Sequence, residues 1–352
     1  MTTTLAIVVA ALSLTARAAE PAKTHPKHRA RKPAHHAVKP ARKAAAPAVA
    51  VSTAPAAPVD PFQAALERLK DANPMVRRQA CADLARLRDP KAGPALLAAL
   101  SDESPFVRSA AVDALGLLRL PGAAAPIIKL LADDKDAQVR QQAAIDISYL
   151  GAHEAEDTLL KALDDADAGV RYASARTLGT LRSQKAAGRL AALLKDPDPG
   201  MRRAAAGALG QIRDPEALPA LAAAAKDSDP YLRREAVRSL GNLGGDAARA
   251  PLHEALSDAD PLVRIDAALA LARFKDPDAE AALVGLLSDP APQTRSQAAM
   301  ALGSVGTKEV ALPALEKAAA AEKDANTKRQ LDFAASQVRA RLGIPAPAAG
   351  NP

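Results

Sequence analysis

At 352 residues the chain is long enough for one large or two ordinary domains, and 49% of it is hydrophobic. Only 2% is aromatic and tryptophan is absent, which excludes the stacking platforms of a single-strand nucleic-acid binder or a carbohydrate cleft. The net charge is +7, and the single cysteine, Cys81, excludes an intramolecular disulfide and falls on an apolar position, where it reads as a small core residue.

Leu5 to Leu14 form an apolar run followed by Ala16-Arg17-Ala18, a small-x-small cleavage pattern, so residues 1–18 are expected to be a signal peptide. The run is too short to span a bilayer. No Lys or Arg precedes it, so a chain that keeps Met1 is the alternative. Residues 19–59 are Ala, Pro, Lys, Arg and His with almost no large apolar side chains, and a disordered leader is expected there. The leader holds Lys23, Lys27, Arg29, Arg31, Lys32, Lys39, Arg42 and Lys43; taking these eight charges from the net of +7 leaves the rest of the chain at −1. The basic character therefore belongs to the leader.

From residue 60 onward the chain repeats. Arg77, Arg108, Arg140, Arg171, Arg202, Arg233, Arg264 and Arg295 follow one another at intervals of 31 residues, with a single interval of 32. Six residues before each arginine stands an aspartate: Asp71, Asp102, Asp134, Asp165, Asp196, Asp227, Asp258 and Asp289. A cap-type residue lies four before the arginine in seven copies, Ala291 being the exception, and a proline often follows it, as at Pro74, Pro105, Pro199, Pro230, Pro261 and Pro292. That combination starts a helix: a side-chain oxygen accepts from the first free amides, and proline at the first helical position sacrifices no hydrogen bond.

Apolar or small residues at minus one, plus three, plus four, plus seven and plus ten from the arginine trace one face at 3.6 residues per turn, giving a helix B in each repeat. Glycines at plus eight (Gly116, Gly179, Gly210, Gly241, Gly303) are expected to admit a neighbouring helix. A second apolar pattern, as in Leu190-Leu193-Leu194, precedes each aspartate and predicts a helix A, entered through turns such as Asp89-Pro90 and Asp214-Pro215. One helix pair buries too little to offset the entropy of ordering it, so the pairs must stack. A ninth, degenerate unit with Lys328 in place of the arginine reads as a C-terminal cap, and Gly343 ends its helix. The expectation is an all-α solenoid of about nine two-helix repeats over residues 60–342, with a disordered tail over 343–352. The Asp and Arg columns are placed to bond turn amides and carbonyls or each other, a structural role.

The pattern Asp-x-x-Pro-x-Val-Arg-x-x-Ala-x-x-x-Leu-Gly-x-Leu resembles the HEAT repeat, in the short form first described in phycobilin lyases. The resemblance implies a right-handed α/α superhelix with helix B lining the concave side, serving as a protein-binding scaffold. Among HEAT-like proteins, deoxyhypusine hydroxylases carry His-Glu pairs directly after the Val-Arg position to hold a diiron centre. Here those slots hold Arg78-Gln79, Ser109-Ala110, Gln141-Gln142, Tyr172-Ala173, Arg203-Ala204, Arg234-Glu235, Ile265-Asp266 and Ser296-Gln297. His153-Glu154 and His253-Glu254 fall elsewhere in the repeat and are not expected to converge on a metal. No catalytic, cofactor or metal residue is assigned.

Positions plus one, two, five and nine on helix B escape the core pattern, and reading them across repeats gives a candidate partner site. Tyr172, Arg176, Arg203, Arg234 and Arg238 form a basic strip beside an apolar shelf of Ile265, Leu269 and Met300, suited to an acidic protein or peptide with apolar anchors. Two functions stand. One is a monomeric, non-enzymatic scaffold of the periplasm or exterior whose leader also holds an anionic envelope polymer. The other is a cytoplasmic protein that binds DNA through the leader.

Overall fold

In this computed structural model the structure describes residues 60–120 and 122–345, and the expected signal peptide, the leader and residues 346–352 lie outside them. The described residues contain helices and no strand. They form nine pairs: α1 (Pro61–Arg68) and α2 (Pro74–Leu87); α3 (Gly93–Ala99) and α4 (Pro105–Leu118); α5 (Ala124–Asp133) and α6 (Ala137–Leu150); α7 (Glu156–Ala162) and α8 (Ala168–Thr180); α9 (Ala187–Leu193) and α10 (Pro199–Ile212); α11 (Leu218–Ala224) and α12 (Pro230–Leu243); α13 (Arg249–Ala255) and α14 (Pro261–Ala272); α15 (Pro277–Leu286) and α16 (Pro292–Val305); α17 (Ala311–Ala321) and α18 (Ala325–Leu342). Odd numbers are the A helices and even numbers the B helices, so the chain is an α solenoid. Among the described residues no helix is long and apolar enough to cross a membrane.

Helix boundaries follow local chemistry. Asp60, Asn73, Asp136, Asp167, Asp198, Asp229, Asp260 and Asp324 each accept a first-turn amide. Ser104 and Ala291 make no such bond, and there Pro105 and Pro292 hold the first turn alone. Five of the B-to-A connections contain a short 3₁₀ turn that the periodic pattern does not foretell: Pro90–Ala92, His153–Ala155, Gln184–Ala186, Pro215–Ala217 and Asp246–Ala248. Most B helices end at a left-handed residue eleven places after the arginine, and at Arg88, Arg119, Arg182, Arg213 and Lys275 that residue is a cation rather than glycine.

The core sits where the two layers meet. The small residues at plus three (Ala80, Ala111, Ala143, Ser174, Ala205, Ala236, Ala267, Ala298) and the Leu or Ile residues at plus seven are all fully buried. Neighbouring B helices lie against one another over most of their length, whereas neighbouring A helices touch over only a few residues. The stack therefore bends with the B layer on its inner side. Glycine at plus eight makes that closeness possible: a Cβ on Gly179 would lie 2.7 Å from the Cα of Ala208, and one on Gly210 2.8 Å from the Cα of Ser239.

The Asp and Arg columns form a ladder along the turns. Each column aspartate accepts the amide two residues on at 2.8 or 2.9 Å, and Glu322 takes the same place in the ninth repeat. Each arginine donates to the carbonyl of its own column acid, as Arg77 Nη1 does to Asp71 at 2.9 Å, and then reaches forward into the next repeat. Arg77, Arg108, Arg140, Arg233 and Arg295 clasp Asp102, Asp134, Asp165, Asp258 and Glu322 with two bonds each, all of 2.7 or 2.8 Å. Three rungs are looser: Arg202 to Asp227 at 3.8 Å, Arg264 to Asp289 at 3.5 Å, and Arg171, which faces Asp198 at 3.6 Å rather than Asp196. The columns are structural.

Candidate partner-binding groove

The inner face of repeats four to six is built on α10. Its cleft-lining edge carries Gly200, Ala204, Gly207 and Ala208, residues too small to fill the space between α8 and α12. Tyr172, Arg176 and Thr180 of α8 form one wall, Glu235 of α12 the other, and Arg203 and Gln211 rise from α10 itself; the cleft measures about 580 Å³. Gly200 leaves the room that the Tyr172 phenol occupies, since a Cβ there would meet the phenolic oxygen at 2.7 Å unless that side chain shifted.

The structure places Tyr172, Arg176 and Arg203 on one cleft and ties up most of the strip in ion pairs. Tyr172 donates to the Asp198 carboxylate. That bond raises the phenol above its ordinary pKa and holds the carboxyl below the usual range. Arg203 lies 3.4 Å from Asp229 and its guanidinium stacks 5.7 Å above the exposed ring of Tyr231. Arg234 and Arg238 converge on one oxygen of Asp266, at 2.9 and 3.2 Å. Arg176 is exposed and enters no ion pair among the described residues. The continuous basic strip read from sequence is thus a set of inter-repeat ion pairs with one free cation.

The apolar shelf is also narrower. Ile265 is 6% exposed and belongs to the core of the last repeats, because the side-by-side B helices cover the plus-one edge of α14. Leu269 is half-buried and Met300 is 36% exposed. Phe333 of α18, 50% exposed, stands five residues after Lys328 and so continues the Leu269 and Met300 row. Aligning Lys328 with the arginine column is the signal that finds it.

The described histidines and the cysteine lie outside this cleft. His153 sits in a 3₁₀ turn of repeat four and His253 on α13, three repeats away. His253 meets two carboxylates, Asp276 at Nε2 (3.0 Å) and Asp278 at Nδ1 (3.5 Å), while Arg249 lies 3.6 Å from the same Asp276 oxygen. His, Asp and Asp could ligate a metal, but each ring nitrogen already faces its own carboxylate and the guanidinium supplies the local positive charge. Cys81 is fully buried, and burial pushes its thiol up to about 12, the opposite of an activated nucleophile.

The sequence matches the family described as HEAT repeats over residues 62–148, 124–203, 156–241, 187–258 and 249–332. Solved structures similar to the chain include these three. An engineered protein is 22% identical over 80% of this chain and 89% of its own, with a TM-score of 0.45. The complex of CpcE and CpcF of phycocyanin lyase from Nostoc is 25% identical over 72% and 98%, with a TM-score of 0.43. The Escherichia coli protein YibA is 21% identical over 77% and 98%, with a TM-score of 0.48. No curated protein sequence matches the chain.

Proposed function

The chain belongs to the HEAT repeat family, and on that footing we propose that it is a non-enzymatic scaffold whose inner groove holds an acidic protein or peptide segment. The observation that carries this reading is the cleft over α10, where a floor of glycine and alanine leaves room for a partner backbone beside the unpaired Arg176. Leu269, Met300 and Phe333 extend the same face as apolar anchors. The run Leu5 to Leu14 with Ala16-Arg17-Ala18 supports export, and the eight leader cations support attachment to an anionic envelope polymer.

The test places a photo-crosslinking residue at Thr180, on the cleft wall. Capture of an acidic segment that is lost in Arg176→Glu, with an unchanged melting temperature, is the expected result. Capture that survives the charge reversal removes the reading. Mass spectrometry of the purified protein reports export: a mature chain beginning at Ala19 is expected.

An intact Met1 favours the second reading, a cytoplasmic protein that binds DNA through the same leader. Its eight cations, with Glu20 the one acid among residues 19–59, predict a fall in log affinity with log salt of slope about −7. Deleting residues 19–59 should then abolish DNA binding while leaving the solenoid's stability intact.

A further inference from the structure

Position plus six on helix B faces the preceding B helix, and in two repeats it carries a buried hydroxyl. Thr177 donates to the carbonyl of Ala144 at 2.7 Å, and Ser239 to the carbonyl of Ala206 at 2.8 Å. Both acceptors stand four residues after the arginine of the preceding repeat. In the third repeat the same position is Asp146, whose counterpart carbonyl is that of Val112 on α4. Glycine makes the room in both settings: a Cβ on Gly210 would lie 2.5 Å from the Ser239 hydroxyl, and one on Gly116 2.2 Å from Asp146 Oδ1.

Asp146 is fully buried, and nothing neutralises it. Its Oδ2 accepts from Gln142 at 2.8 Å, while Oδ1 is sealed from solvent with no hydrogen-bond partner. From α4 it is faced by Asp113, a charge of the same sign, whose Oδ1 lies 3.5 Å from the Gln142 amide. α5 and α8, which also pack on α6, bring no charged side chain that acts on it. A carboxylate there has no donor for its second oxygen; a neutral carboxyl has the hydroxyl that this column supplies elsewhere.

We propose that the seam between α4 and α6 is a pH-sensitive joint, closed by neutral Asp146 and loosened when that carboxyl ionises. The seam underlies an inner-face cleft of about 590 Å³ lined by Phe106, Ser109, Asp113, Gln141, Gln142 and Ile145. Loosening it reshapes the amino-terminal half of the groove, apart from the cleft over α10. Burial pushes the Asp146 carboxyl up to about 7, with Asp113 adding to the rise. Between the ordinary aspartate range near pH 4 and pH 7 the folded seam keeps a proton that the unfolded chain has released. Its stability therefore falls as pH rises through that window and levels off above it, a fall of roughly a thousandfold in the closing equilibrium.

Carbon-13 NMR of the aspartate carboxyls and hydrogen-exchange protection of α4 and α6, followed from pH 4 to 9 on the full chain, test this. Asp146 should titrate near neutrality, and protection in α4 and α6 should drop across the same range. D146T, which restores the Thr177 arrangement, should hold its protection at every pH. Titration near pH 4, or a D146T profile that follows the native one, overturns the proposal. Should D146T fail to fold, D113N serves: removing the neighbouring charge must move the transition to lower pH, and an unmoved transition is equally fatal.

Discussion

Arg108 and Asp134 form the most enclosed rung of the ladder: two bonds of 2.7 and 2.8 Å join side chains that are 8% and 5% exposed. Arg264 and Asp289 hold the equivalent places at 3.5 Å, with 23% and 15% exposure. The same pair of residue types thus differs in worth along one molecule. Arg108→Ala strands a buried carboxylate and the two carbonyls of Asp102 and Glu103, and should cost about 3 kcal/mol or more in urea unfolding. Arg264→Ala, at a wetter and longer contact, should cost about 1 kcal/mol. Equal losses at the two sites would show that enclosure does not set the strength of a rung.

The ladder also sets the acid limit of the fold. Arginine bonds hold Asp102 and Asp165 below the ordinary carboxylate range, and the bonds from Arg295 bring Glu322 to about 2. At Asp134 burial is the largest influence and pulls upward, and Arg108, the Asp136 amide and Arg140 together outweigh it to leave the carboxyl depressed. Groups lowered on folding contribute stability above their unfolded pKa and lose it as pH falls through the folded one, here from about pH 4 downward. Asp146 has the opposite sign and weakens the fold as pH climbs from 4 to 7. A melting series from pH 2 to 9 should therefore peak near pH 4 to 5, and D146T should broaden the plateau toward neutrality. A native maximum at pH 7 or above contradicts this balance.

Arg213 ends α10 in the left-handed region at φ 61°, where a side chain is strained and glycine is not. Gly151 holds the same place after α6 at φ 63°. Arg213→Gly should raise stability by about 1 kcal/mol, less whatever the cation gains from the carboxyl end of the helix dipole, and Gly151→Arg should lower it by a similar amount. Thermal unfolding of the two variants checks both signs; a destabilised Arg213→Gly would mean that the dipole interaction exceeds the strain.

What the sequence made legible was whatever recurs with the helical period. The leucines at plus seven, the small residues at plus three and the close-approach glycines each follow from one helix facing the core, and all are where the pattern puts them. The Asp and Arg columns were readable as a fastening because two charges in fixed register on adjacent turns can meet. The groove was less readable because its exposure depends on the distance between neighbouring B helices, a tertiary quantity. Ile265 and Asp266 sit on positions that a lone helix would show to solvent, and the neighbouring helices bury them to 6% and 8%. The depth of Asp146 is hidden for the same reason. Left-handed helix ends were missed because Arg and Lys, unlike glycine, do not advertise that conformation.

Asp266 decides which groove arginines can be spared. It is 8% exposed and its charge is balanced by Arg234 at 2.9 Å and Arg238 at 3.2 Å, both reaching across from α12. Either arginine alone leaves the carboxylate partnered, so Arg234→Ala and Arg238→Ala should each cost only about 1 kcal/mol. The double variant leaves a buried charge without a counterion and should cost about 3 kcal/mol, more than the sum of the singles. Arg176→Ala touches no ion pair and should stay within about 0.5 kcal/mol of the native protein. Urea unfolding of the four proteins reads the cycle directly. Additive losses at Arg234 and Arg238 would mean that the two cations do not share Asp266 in solution, and both would then join Arg176 as charges open to a partner.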